Sequence, residues 1–554
     1  MDGRDVNEKA SWELSLGEFL ESAVSRNPDK VFLQVVGQEI TYRQFYSGVR
    51  QAAGLFRGLG IERGDRVCLF LPNVPEFHYC WFGLSLLGAI SVPVNVAYRR
   101  DEAAYIFDNA GADAVVAHHS LFEIAEAAAG LAPSVSHKLL VTTALESETD
   151  QQTPPNAASR AKAEGWLDFG TAMDAAEEPV SLPKVSPDEI SMLVYTSGTT
   201  GNPKGVQVTH LMYVAAGQGF AHWTEASPDD RFFTCLPFFH ANAQYYSTMG
   251  SLAAGATLVV AERFSASRFW DQVRDADATV VNFIGMMMPV LAKQPESDQD
   301  RRNNVRLFYG SPAFSPEFLQ AFQERFGTDI IVGFGMTETC YGAIEKIGQE
   351  RRPNSSGQPR LHPDPGFVNQ VRIVDDDGNP VPTGQPGEIT IQNPAVMPGY
   401  WRNQEQTDLA LNDGWLHTGD LGWQDEDGFL YFVDRKKDVI RRRGENISSQ
   451  EVEDVIKRHP TVLDCAVIAV PSELGEDEVK AYVTPRPPAV VDEETIVRWC
   501  AENLAYFKVP RYIEVREELP RTPSLRVRKD LLRQEREDLI SGCFDREAAG
   551  IRIR

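Results

Sequence analysis

The sequence predicts an α/β protein: a large N-terminal domain of parallel α/β sheets carrying a β subdomain, followed by a small C-terminal α+β domain. Three observations carry this. Between about Val67 and Tyr309, short β-branched runs alternate with helical segments, the pattern of parallel βαβ units in a covered sheet. From Phe367 to Gln392 the rhythm changes to brief alternating stretches with turn signals (DDDGNP, PTGQPGE), which predicts antiparallel strands. Near Asp434 the chain becomes highly charged and a second α+β pattern begins. The boundary therefore falls at Arg435 to Lys437, giving domains at 1–436 and 437–554.

Each element follows from local pattern. VCLFL is a strand, followed by a helix running through Phe82; AVVA is a strand after the helix around Ala103 to Asn109. ISMLVYT, TLVV, DATVVNFI and VRLFYG are further buried strands. The uncharged run Trp81 to Ala97 is of membrane length, but Pro93, Asn95 and two glycines interrupt it, so it reads as a helix end and a strand. Leu145 to Val185, rich in Ala, Glu, Pro and Ser, reads as a surface excursion with some helix. The C-terminal unit reads as a helix near Gln450 to Arg458, strands LDCAVIAVP and VKAYVTP, a helix from Glu493 to Asn503 and the strand YIEVRE.

Composition excludes several classes of function. With 554 residues, 42% hydrophobic and 24% charged, the chain has enough apolar material for more than one folded core. A net charge of −25 repels a phosphate backbone, which excludes nucleic acid as a partner. Seven scattered cysteines without a Cys-x-x-Cys pair predict a reducing compartment and no structural zinc. The acidic N-terminus has no apolar core of signal-peptide type, so a cytoplasmic location is expected.

Four segments carry chemistry. YTSGTTGNPKGV, after the strand ISMLV, gathers hydroxyls, glycines and one lysine, the donors a polyphosphate cradle requires. It is not a Walker A loop, because Lys204 lies between Pro203 and Gly205. GFGMTET, from Gly333 to Thr339, lacks the third glycine of a dinucleotide fingerprint and has Glu338 in its place. Alone it fits either a nucleotide-facing turn with a Mg²⁺-binding carboxylate or a strand end with a helix N-cap threonine. WLHTGD and VDRKKDVIRRRGENI complete the set.

In this order the segments resemble the adenylate-forming (AMP-binding) superfamily of acyl-CoA synthetases, luciferases and peptide-synthetase adenylation domains, over essentially the whole chain. LPFFHANAQYYSTMGSLAAGATLVVAERFSASRFWDQV resembles the carnitine/crotonobetaine-CoA ligase branch. The resemblance implies roles. Thr196, Ser197, Gly198, Thr199, Thr200 and Lys204 line the phosphate loop; Gly310, Ser311 and Pro312 border adenine, on which Phe334 stacks within Gly333-Phe334-Gly335-Met336. Thr337 and Glu338 meet the α-phosphate and Mg²⁺, while Asp420 and Arg435 hold the ribose. His240 stands where acyl and pantetheine paths meet, and Lys437 is the hinge of a mobile C-terminal domain. Gly444 fits the wall of the pantetheine tunnel, and Arg441, Arg442 and Arg443 face CoA phosphates or form a solvated run. The acyl pocket is expected from His240, Ala241, Asn242, Gln244, Tyr245, Phe283, Gly285 and Met286. No acid among these offers itself to a quaternary amine.

One loop departs from the family pattern. Pro520 to Arg526 reads PRTPSLR, with Leu525 where the resemblance implies Gly and Arg526 where it implies the adenylating Lys. A forked guanidinium does not replace a compact ammonium that touches two oxyanions. The expectation is therefore an enzyme that transfers an acyl group from acyl-AMP to CoA with adenylation impaired, a partner enzyme supplying the adenylate. The alternatives are a complete two-step synthetase using Arg526 or Lys529, and a non-catalytic adenylate or acyl-CoA sensor. The acceptor is CoA or a carrier-protein pantetheine, ATP enters if adenylation survives, and a homodimer is compatible with the chain.

Overall fold

The structure, a computed structural model, describes residues 10–145, 162–196, 202–284, 287–311, 316–375, 377–435, 439–442, 445–472, 475–520, 527 and 529–553. Two large sheets dominate the N-terminal part. A seven-stranded sheet is centred on Arg66–Phe70, flanked in parallel by Ile90–Pro93 and Ala114–His118, with Ile190–Thr196 parallel to Ile90–Pro93. A nine-stranded sheet pairs Arg231–Thr234, Val280–Ile284, Leu307–Ser311 and Asp329–Met336 in parallel. The uncharged run is the helix Pro75–Leu87 followed by the strand Ile90–Pro93, as its interruptions imply. That helix is apolar all round because it is buried on every side, and Gly88 ends it at φ 72°, a conformation glycine adopts without strain. No helix among the described residues is long and apolar enough to cross a membrane.

The antiparallel β subdomain stands where the turn signals put it, with Gln370–Val374 paired to Gly387–Gln392 and on to Trp415–Gln424 and Leu430–Arg435. Beyond it come the hairpin Val439–Arg442/Glu445–Ser448, the helix Ser449–Lys457 and a four-stranded sheet holding Val462–Pro471, Asp477–Pro485 and Tyr512–Val515. The helix Glu493–Asn503 covers this sheet through Ile496, Val497 and Cys500. In the surface excursion the described part includes the short helix Phe169–Asp174, while residues 146–161 lie outside the described residues.

Candidate active site

The strand ends of the large sheets converge on one cavity of about 750 Å³, which the C-terminal hairpin and the turn Tyr506–Lys508 also line. The glycine- and threonine-rich stretch bridges a hairpin, not a strand and a helix: Ile190–Thr196 pairs antiparallel with Lys204–Thr209, Thr196 opposite Lys204. Both lie on the cavity wall, and the Lys204 ammonium sits 4.1 Å from the centre of the Tyr400 ring. Ser197, Gly198, Thr199 and Thr200, the rest of the expected phosphate loop, lie outside the described residues.

The strand Leu307–Ser311 brings Gly310 and Ser311 to the cavity, and a side chain at Gly310 would strike the Phe283 carbonyl of the neighbouring strand. Pro312 lies outside the described residues. GFGMTET turns directly into the antiparallel strand Thr339–Ile344, which excludes the helix-cap reading of Thr337. Thr337 and Glu338 line the cavity; Tyr245 donates to the Thr337 carbonyl at 2.9 Å and Tyr400 donates to Glu338 Oε1 at 2.7 Å. On this stretch of wall Glu338 is the one carboxylate among the described residues, a donor set that fits Mg²⁺, which keeps most of its waters.

Successive strand residues point to opposite faces, and Phe334, expected to stack on adenine, is turned away from the cavity. Gly333 and Gly335 line the cavity, whereas Phe334 is buried with Ile373, Ile389, Ile391 and Leu430 of the β subdomain. Asp420 is buried opposite Arg435 in strand register, with Thr418 and Gly419 beside it on the cavity wall. The side chain of Arg435 is outside what the structure describes.

Of the residues expected to form an acyl pocket, His240, Ala241, Asn242, Tyr245 and Phe283 stand together on the cavity wall. Gln244 is not. Fully buried, it accepts from the Tyr213 hydroxyl and donates to the Phe238 carbonyl, both at 2.6 Å, so it braces the wall from within. Gly285 and Met286 lie outside the described residues.

The C-terminal hairpin docks on this wall through an ion pair: His240 Nε2 is 2.8 Å from Glu445 Oε1. Enclosure in the wall works to lower the imidazole pKa, but the Glu445 charge and hydrogen bond outweigh it and the net shift is upward. Arg441 lines the cavity, and its backbone N–H is held by Asp477 at 3.0 Å. Arg442 corrects the expected CoA-binding run. It is buried, 2.7 Å from Glu478, and donates to the carbonyls of Phe507 and Val509, because alternation along the strand turns it inward. Arg443, Gly444, Lys437, Leu525 and Arg526 lie outside the described residues. Lys529, the alternative adenylating cation, is anchored within the C-terminal domain, 2.6 Å from Glu453 and 2.7 Å from the Ser449 hydroxyl.

Three features escaped sequence reasoning: Tyr400 on Glu338, the buried Arg360 at the cavity floor, and Lys508, which joins Glu102 of the N-terminal domain to Glu451 of the C-terminal domain. The tyrosine in VMPGYW sits in an apolar stretch between two strands of the β subdomain and carries no local signal.

The architecture is that of solved adenylate-forming enzymes. An anthranilate CoA ligase, AuaEII, in complex with anthranoyl-AMP superposes with a TM-score of 0.70 at 26% identity, over 95% of this chain and 98% of that one. The amide bond synthetase McbA from Marinactinospora thermotolerans gives 0.79 at 26% identity, over 93% and 99%. The AMP-binding enzyme signature matches residues 20–401, and the AMP-binding enzyme C-terminal domain matches 451–526. The crotonobetaine/carnitine–CoA ligase of Escherichia fergusonii is 36% identical over 504 residues, 89% of this chain and 93% of that protein, and its counterpart in Escherichia coli O8 is 36% identical over 503. The chain belongs to the AMP-binding enzyme family.

Proposed function

We propose that this protein is an acyl-CoA ligase that performs the thioester-forming half-reaction, taking an acyl-adenylate and CoA to an acyl-CoA and AMP, with ATP-dependent adenylation impaired. The sulfur of CoA attacks the acyl carbonyl carbon, the carbon–sulfur bond forms, and the bond from that carbon to the phosphate oxygen breaks, releasing AMP and the thiol proton. The His240–Glu445 ion pair carries this reading, because it seats the hairpin adjoining Gly444 against the cavity wall, as delivery of a thiol to an adenylate held there would require. Thr196, Lys204 and Thr337 surround the nucleotide phosphate, and Glu338, steadied by Tyr400, would hold Mg²⁺. When bound, the ion would neutralise phosphate charge as AMP departs.

Impaired adenylation rests on Leu525 and Arg526, and on Lys529 being held by Glu453 and Ser449 instead of standing free as a substitute. Loss of one well-placed electrostatic stabiliser costs on the order of 10² to 10³ in rate. Two assays test the reading: ATP–pyrophosphate exchange with a panel of acids, and thioester formation from preformed adenylates. The expected result is weak exchange with robust thioester formation, and a rise in exchange on R526K that grows with L525G. Brisk exchange by the unaltered protein would make it a complete two-step synthetase; tight adenylate binding with no turnover of either kind would make it a sensor.

A further inference from the structure

Arg360 is the most unusual charge in the protein. It is 1% exposed, yet it lines the cavity floor beside Tyr246 and Tyr309. Its Nη1 and Nη2 donate to the hydroxyls of Tyr246 and Tyr309, each at 2.5 Å; Nη1 also reaches the Cys340 carbonyl, and Nε donates to the Ala343 carbonyl at 3.1 Å. Its guanidinium carbon lies 4.7 Å from the centre of the Trp223 ring. Every one of these partners is neutral, and among the described residues no carboxylate pairs with it. Buried guanidinium groups are ordinarily paired, since desolvating one is expensive and neutral acceptors leave its full charge in place.

The placement is built. A Cβ at Gly333 would lie 2.7 Å from Arg360 Nη2 and one at Gly335 would lie 3.3 Å from Nη1, so the two glycines make room for the guanidinium against the strand. The surrounding wall is the acyl wall: Tyr245, Tyr246, Phe283 and Tyr309. Of the acids that line the cavity, Glu338 is on the same hairpin as Cys340 and Ala343 but is held by Tyr400, and none is bonded to Arg360 among the described residues. Glu388 is in the β subdomain, and Glu445, Glu476 and Asp477 are in the C-terminal domain.

We infer that the substrate supplies the missing counter-ion: the acid taken by this enzyme carries a second anionic group, a carboxylate, at the end remote from the reacting carboxyl. The inference rests on the acyl-transfer reading above and specifies its substrate class. Crotonobetaine and carnitine, which give the relatives their name, carry instead a trimethylammonium group, which Arg360 would repel. At about 5 Å in a protein-like dielectric, the bare charge–charge interaction shifts binding by roughly 100-fold against a neutral tail, favourably for carboxylate and unfavourably for ammonium. Desolvation of the carboxylate takes back part of its gain, so about tenfold over methyl and about 100-fold over trimethylammonium are lower bounds.

The test uses the full chain with CoA and preformed adenylates in two matched sets, a six-carbon chain and a para-substituted benzoate, each ending in carboxylate, methyl or trimethylammonium. Thioester formation is expected to favour carboxylate over methyl about tenfold or more, and over trimethylammonium about 100-fold or more, in kcat/KM in at least one set. R360K is expected to keep the sign of the preference, and R360Q to bring the carboxylate-to-methyl ratio to about one. Equal use of the three tails by the unaltered protein overturns the inference, and because that comparison needs no variant it stands even if R360Q fails to fold. Should no adenylate give thioester, the acyl-transfer reading fails on its own. The calorimetric affinities of sulfamoyl analogues bearing the same tails then decide the charge inference, with preference for carboxylate upholding it and indifference ending it.

Discussion

Glu102→Gln is expected to slow thioester formation without weakening adenylate binding. Glu102 is on the helix Arg100–Ala110, and its Oε1 lies 3.0 Å from Lys508 Nζ, which is also 2.6 Å from Glu451. The ammonium is 2% exposed, and the cluster crosses the interface between the two domains. Burial alone works to lower the lysine pKa, but Glu451, Tyr98 and Glu102 outweigh it and raise it well above the ordinary value, so the charge persists at any working pH. The other carboxylate oxygen of Glu102 accepts from the Arg99 N–H at 2.9 Å and caps its helix, a role Gln also fills. With its carbonyl oxygen committed to the cap, the Gln side chain turns its NH₂ toward the ammonium, so the interdomain contact is lost while the pair with Glu451 survives within the C-terminal domain. A hydrogen bond to a charged group contributes about 1.5 to 3 kcal/mol, so the docked pose should lose about 10- to 150-fold in population. Single-turnover conversion of a preformed adenylate, set beside adenylate affinity by calorimetry, reads the two effects separately. An unchanged rate, or an equal loss in rate and affinity, would refute the assignment of this cluster to domain docking.

Three further outcomes are expected. The His240 imidazole should titrate above its ordinary range, and E445Q should bring its midpoint down in a histidine-labelled NMR titration; a midpoint indifferent to residue 445 would break the ion-pair account. Because the raised pKa belongs to the docked pose, the pair's contribution to docking is complete below the undocked pKa, near 6.5, and is lost as pH rises through the raised value. Y400F keeps the ring under Lys204 but removes the hydroxyl from Glu338, and should weaken adenylate binding about tenfold with little change in thermal midpoint; an unchanged Kd would deny Tyr400 its role. G357A should destabilise the N-terminal domain by about 3 kcal/mol or more, since Gly357 has φ 85° and an added Cβ would collide with the Ile344 carbonyl carbon; an unaltered urea midpoint would contradict this.

The elements were legible because each depends on a local period. ISMLVYT is the strand Ile190–Thr196 residue for residue, and the helix Glu493–Asn503 begins after an Asp492 cap that bonds the Thr495 N–H. The cavity wall was legible where a motif lies at or next to a strand end, as at Thr196, Gly310 and Glu338. It failed where the face of a strand decides. In RRRGEN consecutive arginines cannot share a face, so Arg441 reaches the cavity and Arg442 the interior, a consequence of alternation that the sequence already contained. The same rule turns Phe334 away from the cavity and leaves its flanking glycines on the wall.

Arg360 was beyond such reading for a different reason. Its partners come from residues 246, 309, 340 and 343, and only folding assembles four neutral oxygens from two strands and a helix around one cation. The two glycines of GFG, read in sequence as space for a nucleotide, are also space for that guanidinium. A charge so accommodated, with two glycines given up to its packing and no acid paired with it among the described residues, is costly to keep as scaffolding alone, because a methionine would fill the volume with less desolvation. That asymmetry is what turns a packing detail into a statement about the substrate's far end.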